Sequence, residues 1–219
     1  MKRQLVSRVG AIAIIGLLAL TACAGNAAAN PDAVSIGALQ IGDHLSLDDA
    51  RRGFVSGMAN EGFVTGEGGN LNFTHFSAQG DMAVANAMAL QIVENNPDLI
   101  LGIATSTSLA LANTTDTIPI VITAVTDPLR ADLVESLERP GRNVTGTSDL
   151  SPVEEQINLL TRILPDAQRI GIIYNAGEIN SAILAEMARD AITAQGLTYA
   201  TVTVATTADA AQAADFIVG

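Results

Sequence analysis

Beyond residue 33 the apolar positions fall into two alternating rhythms. Short apolar runs of strand length are each followed by a segment with apolar residues three and four apart. Val34 to Ile41 (VSIGALQI) is the first short run. Ser46-Leu47-Asp48-Asp49 then forms an S-x-x-D helix start. Leu47, Ala50, Phe54 and Met58 make its inward stripe, and Gly62 closes it. Leu71 to Phe76 alternates as a strand. Asp81 caps a second helix with Val84, Met88 and Ile92 on one face, and Pro97 ends it. Leu99 to Ile103 and Ile118 to Val125 are buried-strand runs on either side of a helix over Ser106 to Asn113. Thr126-Asp127-Pro128 turns the chain out of the last of them.

The rhythm restarts after a join near Gly146 to Ser151. Ser151-Pro152-Val153-Glu154 reads as a capping box with proline at the first helical position. Val153, Ile157, Leu160 and Leu164 form the stripe of that helix. Arg169 to Tyr174 is a strand. Asn180 or Ser181 caps a helix running to Gln195, and Gly196 stops it. Leu197 to Val204 is a strand, and a last helix starts at Ala208. Strands alternating with helices predict βαβ units and a parallel sheet, hence an α/β fold. Residues 34–148 form a first α/β lobe with at least four strands. Residues 149–219 form a partial second lobe with two. The apolar pattern is still running at Phe216-Ile217-Val218. About three further βα units, on the order of 100 residues at ~30 per unit, are therefore expected to complete the second lobe.

The chain's start has a different character. Lys2, Arg3 and Arg8 make a basic start ahead of an apolar stretch over residues 9–20, VGAIAIIGLLAL. It is too short for a bilayer span, which needs ~20 residues. A basic start, a short apolar core and small residues before a cut describe a secretory signal. Leu20-Thr21-Ala22-Cys23 fits the bacterial lipobox, so Cys23 is expected to carry lipid after cleavage between Ala22 and Cys23. A buried core cysteine would leave the basic start unexplained. More than one acyl chain anchors a protein stably. Residues 1–22 then form a lipoprotein signal peptide and residues 23–33 a lipidated tether. The rest is placed outside the cytoplasmic membrane, held to it through the lipid only. Cys23 is the only cysteine, so no internal disulfide forms.

Removing residues 1–22 takes three of the 11 basic residues and none of the 23 acids. The remaining 8 against 23 give a net charge of −15, with no lysine. Such a surface repels phosphates and excludes a nucleic-acid partner. The 48% hydrophobic content supports a sizeable core.

In open parallel sheets, ligands bind beyond the carboxyl ends of the strands. The residues found there are Gln40, Gly42, Asp43 and His44; Thr105, Ser106, Thr107 and Ser108; Ala124, Thr126 and Asp127; and Asn175, Gly177, Glu178, Asn180 and Ser181. Helix starts at Ser106 to Ser108 and at Asn180 to Ser181 offer backbone N–H groups suited to one small anion such as a carboxylate. Asp127, Asp149 or Glu178 suits an ammonium. The same residue types are also ordinary caps and turns. Catalytic and cofactor motifs are missing: there is no G-x-S-x-G elbow, H-E-x-x-H, C-x-x-C or P-loop. His75 lies inside a strand and reads as structural. Neither a metal site nor a cofactor is expected. With no tryptophan and 3% aromatic residues, an amino-acid-like solute is a better fit than a sugar.

Seven stretches resemble the solute-binding lipoproteins of ABC importers, in the branch linked with tryptophan, tyrosine or phenylalanine uptake. They are GALQIGDHLSLDDARRGF, SAQGDMAVANAMA, PDLILGIATSTS, IPIVITAVTDP, GRNVTGTSDLSPVEEQINLL, ILPDAQRIGIIYNAGEINS and TVTVATTAD, in family order across residues 34–219. The family often has His-Pro where this chain has His44-Leu45, and Asn-Pro-Gly-Glu where it has Asn175-Ala176-Gly177-Glu178. The resemblance implies a type I periplasmic-binding-protein fold, two flavodoxin-like lobes closing on a small solute that is passed to an ABC permease. Because a helix N-terminus stabilises a negative charge, Thr105, Ser106, Thr107, Ala124 and Thr126 are expected to receive the ligand carboxylate, with Asp127 on the hinge side. Asn175, Glu178, Asn180 and Ser181 reach the ligand from lobe two, and Gln40 and His44 border its side chain. An enzyme or sensor domain using the same cleft is the alternative. A transcriptional regulator is opposed by the lipobox and by the lack of an N-terminal helix-turn-helix.

Overall fold

The computed structural model describes Asn30 and residues 32–218; the expected signal peptide, Cys23 and most of the expected tether lie outside these residues. Strand β1 (Val34–Gln40) leads to helix α1 (Leu45–Asn60), β2 (Leu71–Ser77), α2 (Met82–Glu94), β3 (Leu99–Ile103) and α3 (Thr105–Ala112). β4 (Ile120–Val125) and β5 (Val144–Ser148) follow. Then come α4 (Val153–Ile163), β6 (Arg169–Tyr174), α5 (Ile179–Ala194), β7 (Thr198–Thr203) and α6 (Ala210–Val218). The first five strands form one parallel sheet in the order β2-β1-β3-β4-β5, and β6 and β7 pair in parallel in a second.

Alternation along the strands divides the first core. Ile36 and Ala38 of β1 and Leu101 and Ile103 of β3 pack with Leu47, Phe54 and Met58 of α1. Leu39, Ile100, Ile120 and Ile122 point to the other face, against α2 and α3. Val153, Ile157, Ile170 and Ile192 make a third cluster under the small sheet. On the α3 face, β3 carries Gly102. A Cβ there would stand 2.6 Å from Ser108 Oγ and 3.2 Å from Ser108 Cα. Glycine thus lets α3 lie unusually close to the sheet, which fixes where that helix begins.

Several element boundaries differ from the sequence expectation. His44, not Ser46, is the N-cap of α1. The buried face of α2 is Ala85, Ala89 and Ile92, and Val84 is 37% exposed. Apolar residues occur all round α2, and small alanines allow the closer approach. β4 begins at Ile120, after Pro119, which has no N–H to give a ladder. The expected join holds an edge strand, β5, with only Val144 buried. The capping box at Ser151 does not form: Pro152 occupies the N-cap of α4, with no side-chain cap. α4 ends at Ile163, leaving Leu164 58% exposed. Glu178 is the N-cap of α5, so Asn180 and Ser181 lie in its first turn. A 3-10 turn over Thr207–Asp209, with a capping box between Thr206 and Asp209, precedes α6.

Candidate functional site

Winding of the large sheet reverses between β1 and β3, because the chain steps out to β2 and returns on the other side. Beyond the carboxyl ends of strands at such a switch point a crevice opens. Here it is a cleft of about 620 Å³, within the range of small-molecule sites. Ile41, Leu47 and Ala50 form an apolar wall, with His44 and Ser46 at its rim. Ala104, Thr105 and Ser106 come from the start of α3, and Thr123, Ala124 and Thr126 from the end of β4. Asp149, Glu178 and Asn180 complete it from beyond β5 and from the start of α5. A second concavity of about 710 Å³ lies around the Gly66–Gly69 turn, at the amino end of β2. It is walled by turn backbone and the edge strand, on the wrong end of the sheet for a ligand.

The backbone at the cleft is strained. Ala104 caps α3 with φ 83° and ψ 158°, a region essentially reserved for glycine, and Ala124 has φ 54°. Such residues cost about 1–3 kcal/mol each and cluster at functional sites. Ala124 lies where the β4–β5 register shifts between Ile122 and Val125, an irregularity that turns Thr123 and Ala124 toward the opening. The first-turn N–H groups of α3 have no intrahelical partner. Thr105 is buried, and its hydroxyl has no partner among the described residues. An unbonded buried hydroxyl is costly unless a ligand or water meets it.

Of the thirteen residues expected at the ligand, the cleft gathers His44, Thr105, Ser106, Ala124, Thr126, Asp149, Glu178 and Asn180. The other five lie behind it. Thr107 is fully buried and its hydroxyl donates to the carbonyls of Ile103 (2.5 Å) and Ala104 (3.1 Å). Asp127 Oδ1 accepts from the backbone N–H groups of Leu129 and Arg130. Its other oxygen lies 3.6 Å from Arg130 Nε, and Arg130 Nη1 lies 3.7 Å from Glu186 on α5. Gln40 is fully buried under α1 and donates to Gly42 O (2.7 Å) and Asp48 Oδ1 (3.1 Å). Asn175 Oδ1 accepts from Gly177 N at 2.9 Å, and its Nδ2 donates to Glu178 Oε1 at 3.4 Å. Ser181 Oγ accepts from Asn175 N at 3.1 Å. Asn175 and Ser181 thus shape the loop that presents Glu178 and Asn180.

The rim is held by a parallel set of bonds. Asp43 accepts from Ser77 Oγ (2.8 Å) and Gln79 Nε2 (3.1 Å), tying the loop after β1 to the loop after β2. These bonds lower the Asp43 pKa, and the Gln40 amide does the same for Asp48. His75 stands beneath α1, where burial, and then Arg51, lower its pKa. The sequence reading missed Ile41, Ser46, Leu47, Ala50, Ala104 and Thr123. Leu47 and Ala50 were visible only as core positions; in the first turns of α1 the same stripe also walls the cleft.

A switch-point cleft with a helix start, two carboxylates and an apolar wall is the layout of a small-solute receptor. Residues 35–219 match the family described as ABC transporter substrate binding protein. The chain belongs to that family. Members are solute-binding proteins, not enzymes. The tyrosine-binding protein of Clostridioides difficile (strain R20291) is 37% identical over 187 residues, covering 81% of this chain and 54% of its own length. A conserved domain protein from Vibrio cholerae is 43% identical, with a TM-score of 0.78, over 84% of this chain and 62% of its own. An ABC domain from Streptococcus pneumoniae, solved in complex with L-Trp, is 35% identical with a TM-score of 0.75, over 83% of this chain and 60% of its own. The chain therefore spans 54–62% of the length of these relatives. The fold is that of type I periplasmic binding proteins, shared with far more distant members.

Proposed function

We infer that this protein is the extracytoplasmic solute-binding component of an ABC importer and that its solute is an aromatic amino acid. The observation that carries the reading is the two-ended chemistry of the cleft. At one end, the start of α3 at Thr105 and Ser106 offers free N–H groups, a buried unbonded hydroxyl and a positive helix end for a carboxylate. Asp149 and Glu178 are the acceptors for the ammonium, and Thr126 and Asn180 add neutral polar contacts. The wall of Ile41, Leu47 and Ala50 takes an apolar side chain. The relatives described as binding tyrosine and L-Trp support an aromatic one. Residues 34–148 and 149–219 act as two lobes that close on the solute, and the closed form passes it to a permease. Closure is favoured by the extra affinity of the closed state alone.

Isothermal titration calorimetry with L-Tyr, L-Trp, L-Phe, L-Leu and glucose tests this. Binding of at least one aromatic amino acid, tighter than leucine and with no glucose heat, is the expected result. Tight glucose binding without amino-acid binding overturns it. The lipid anchor at Cys23 is the second part of the proposal, supported by the lipobox at Leu20 to Cys23. Intact-mass measurement of the membrane-extracted protein is expected to show cleavage before Cys23 and added acyl mass. An unmodified Cys23 thiol rules the anchor out.

A further inference from the structure

His44 occupies the N-cap of α1 with an imidazole, where Ser, Thr, Asp or Asn is usual. The Ser46 backbone N–H donates to His44 Nδ1 at 3.3 Å, and Ser46 Oγ lies 2.8 Å from the same nitrogen. A backbone amide only donates. Nδ1 therefore presents a lone pair, and the proton of the neutral ring sits on Nε2. The Ser46 hydroxyl must then be the donor in its own contact, so it is engaged as well. Beside the wall of Ile41, Leu47 and Ala50, the His44 Nε2–H has no hydrogen-bond partner among the described residues, and with His44 Nδ1 and the Ser46 O–H engaged it is the donor that these two rim side chains leave open.

We propose that His44 is a specificity-determining residue whose Nε2–H recognises an acceptor oxygen at the far end of the bound aromatic side chain, favouring a phenol over a phenyl ring or an indole. The proposal rests on the aromatic-amino-acid reading of the cleft. A phenolic oxygen accepts a hydrogen bond. A phenyl ring offers no such oxygen, and an indole N–H only donates. When a hydrocarbon ring fills the closed cleft, the imidazole N–H is taken from water and given nothing in return. A site arranged to bond a hydroxyl rejects the analogue that lacks one for this reason. The choice of tautomer is thus made by Ser46, outside the ligand, and read out by the ligand.

The test is calorimetry of the full-length protein with L-tyrosine, L-phenylalanine and L-tryptophan, on wild type, His44→Asn and His44→Ser. Both variants keep a capping oxygen for α1 but end short of the position of Nε2. Their melting temperatures separate loss of recognition from loss of fold. The wild type is expected to bind tyrosine about tenfold more tightly than phenylalanine or tryptophan, as one unpaired donor implies. In the variants that ratio falls toward one, through weaker tyrosine binding and through tighter phenylalanine binding now that no imidazole N–H is left unpaired. A wild-type ratio near one, or a ratio that survives both substitutions, overturns the role of His44 alone. Binding of none of the three ligands overturns the aromatic reading and this inference together.

Discussion

Replacing Asp149 with Asn and Glu178 with Gln together is expected to weaken aromatic amino-acid binding by about two to four orders of magnitude. In the proposed binding mode each carboxylate accepts a charge-assisted hydrogen bond from the ligand ammonium, worth roughly 1.5–3 kcal/mol, and tenfold in affinity corresponds to about 1.4 kcal/mol. The amides are isosteric, so the loops keep their shape. Asn175 Nδ2, which donates to Glu178 Oε1, still finds an oxygen in the variant. Asp149 is held through its backbone N–H on Val125 O, which the substitution does not touch. The melting temperature of the ligand-free protein should therefore stay close to that of the wild type. Calorimetry decides: less than a threefold change in Kd means that the ammonium is not held by these acids.

The largest loss of stability is expected from Gly146→Ala. Gly146 sits in β5 at φ 152°, opposite Ile122 of β4. An added Cβ would stand 2.1 Å from Ile122 O and 2.6 Å from Ile122 N. Both are backbone atoms in a ladder, so neither moves without breaking the pairing. Overpacking and a strained backbone together amount to about 2–6 kcal/mol. That is a large share of the roughly 5–15 kcal/mol that stabilises a typical domain. Scanning calorimetry should show a fall on the order of 10 °C or more. The contrasting substitution is Gly57→Ala, on the exposed side of α1 with open space around it. Helix propensity there favours alanine by roughly 0.8–1.0 kcal/mol. If Gly146→Ala melts with the wild type, the β4–β5 register described above is wrong.

The order of strands and helices was legible because most strands of the large sheet are covered on both faces. LILGI and IPIVITAV announce themselves as apolar runs. VTGTS does not. As an edge strand it buries only Val144, and its remaining residues face solvent, so it resembles a linker. Helix starts were harder to read, since each depends on one residue's backbone angles. Pro152, with ψ 72°, took the place expected of Ser151, and a histidine capped α1 in place of a serine. Within TSTS every residue has a hydroxyl, and the sequence cannot say which ones face a ligand. Helical geometry decides it: Thr107 and Ser108 turn back to the carbonyls of Ile103 and Ala104, leaving Thr105 and Ser106 at the cleft. Strain at Ala104 had no signature at all, because alanine seldom adopts a positive φ.

Arg130 touches Asp127 on the loop after β4 and Glu186 on α5, and so ties the two α/β units by charge at the surface. Its side chain is 44% exposed and that of Glu186 is 62% exposed. An ion pair in that setting is worth only about 0–1 kcal/mol, comparable to thermal energy. Dissolved ions weaken it further, because both side chains stand open to solvent. The tie therefore works as a weak, salt-tunable spring. It biases how the units sit relative to one another, and yields at almost no expense when something else pulls harder.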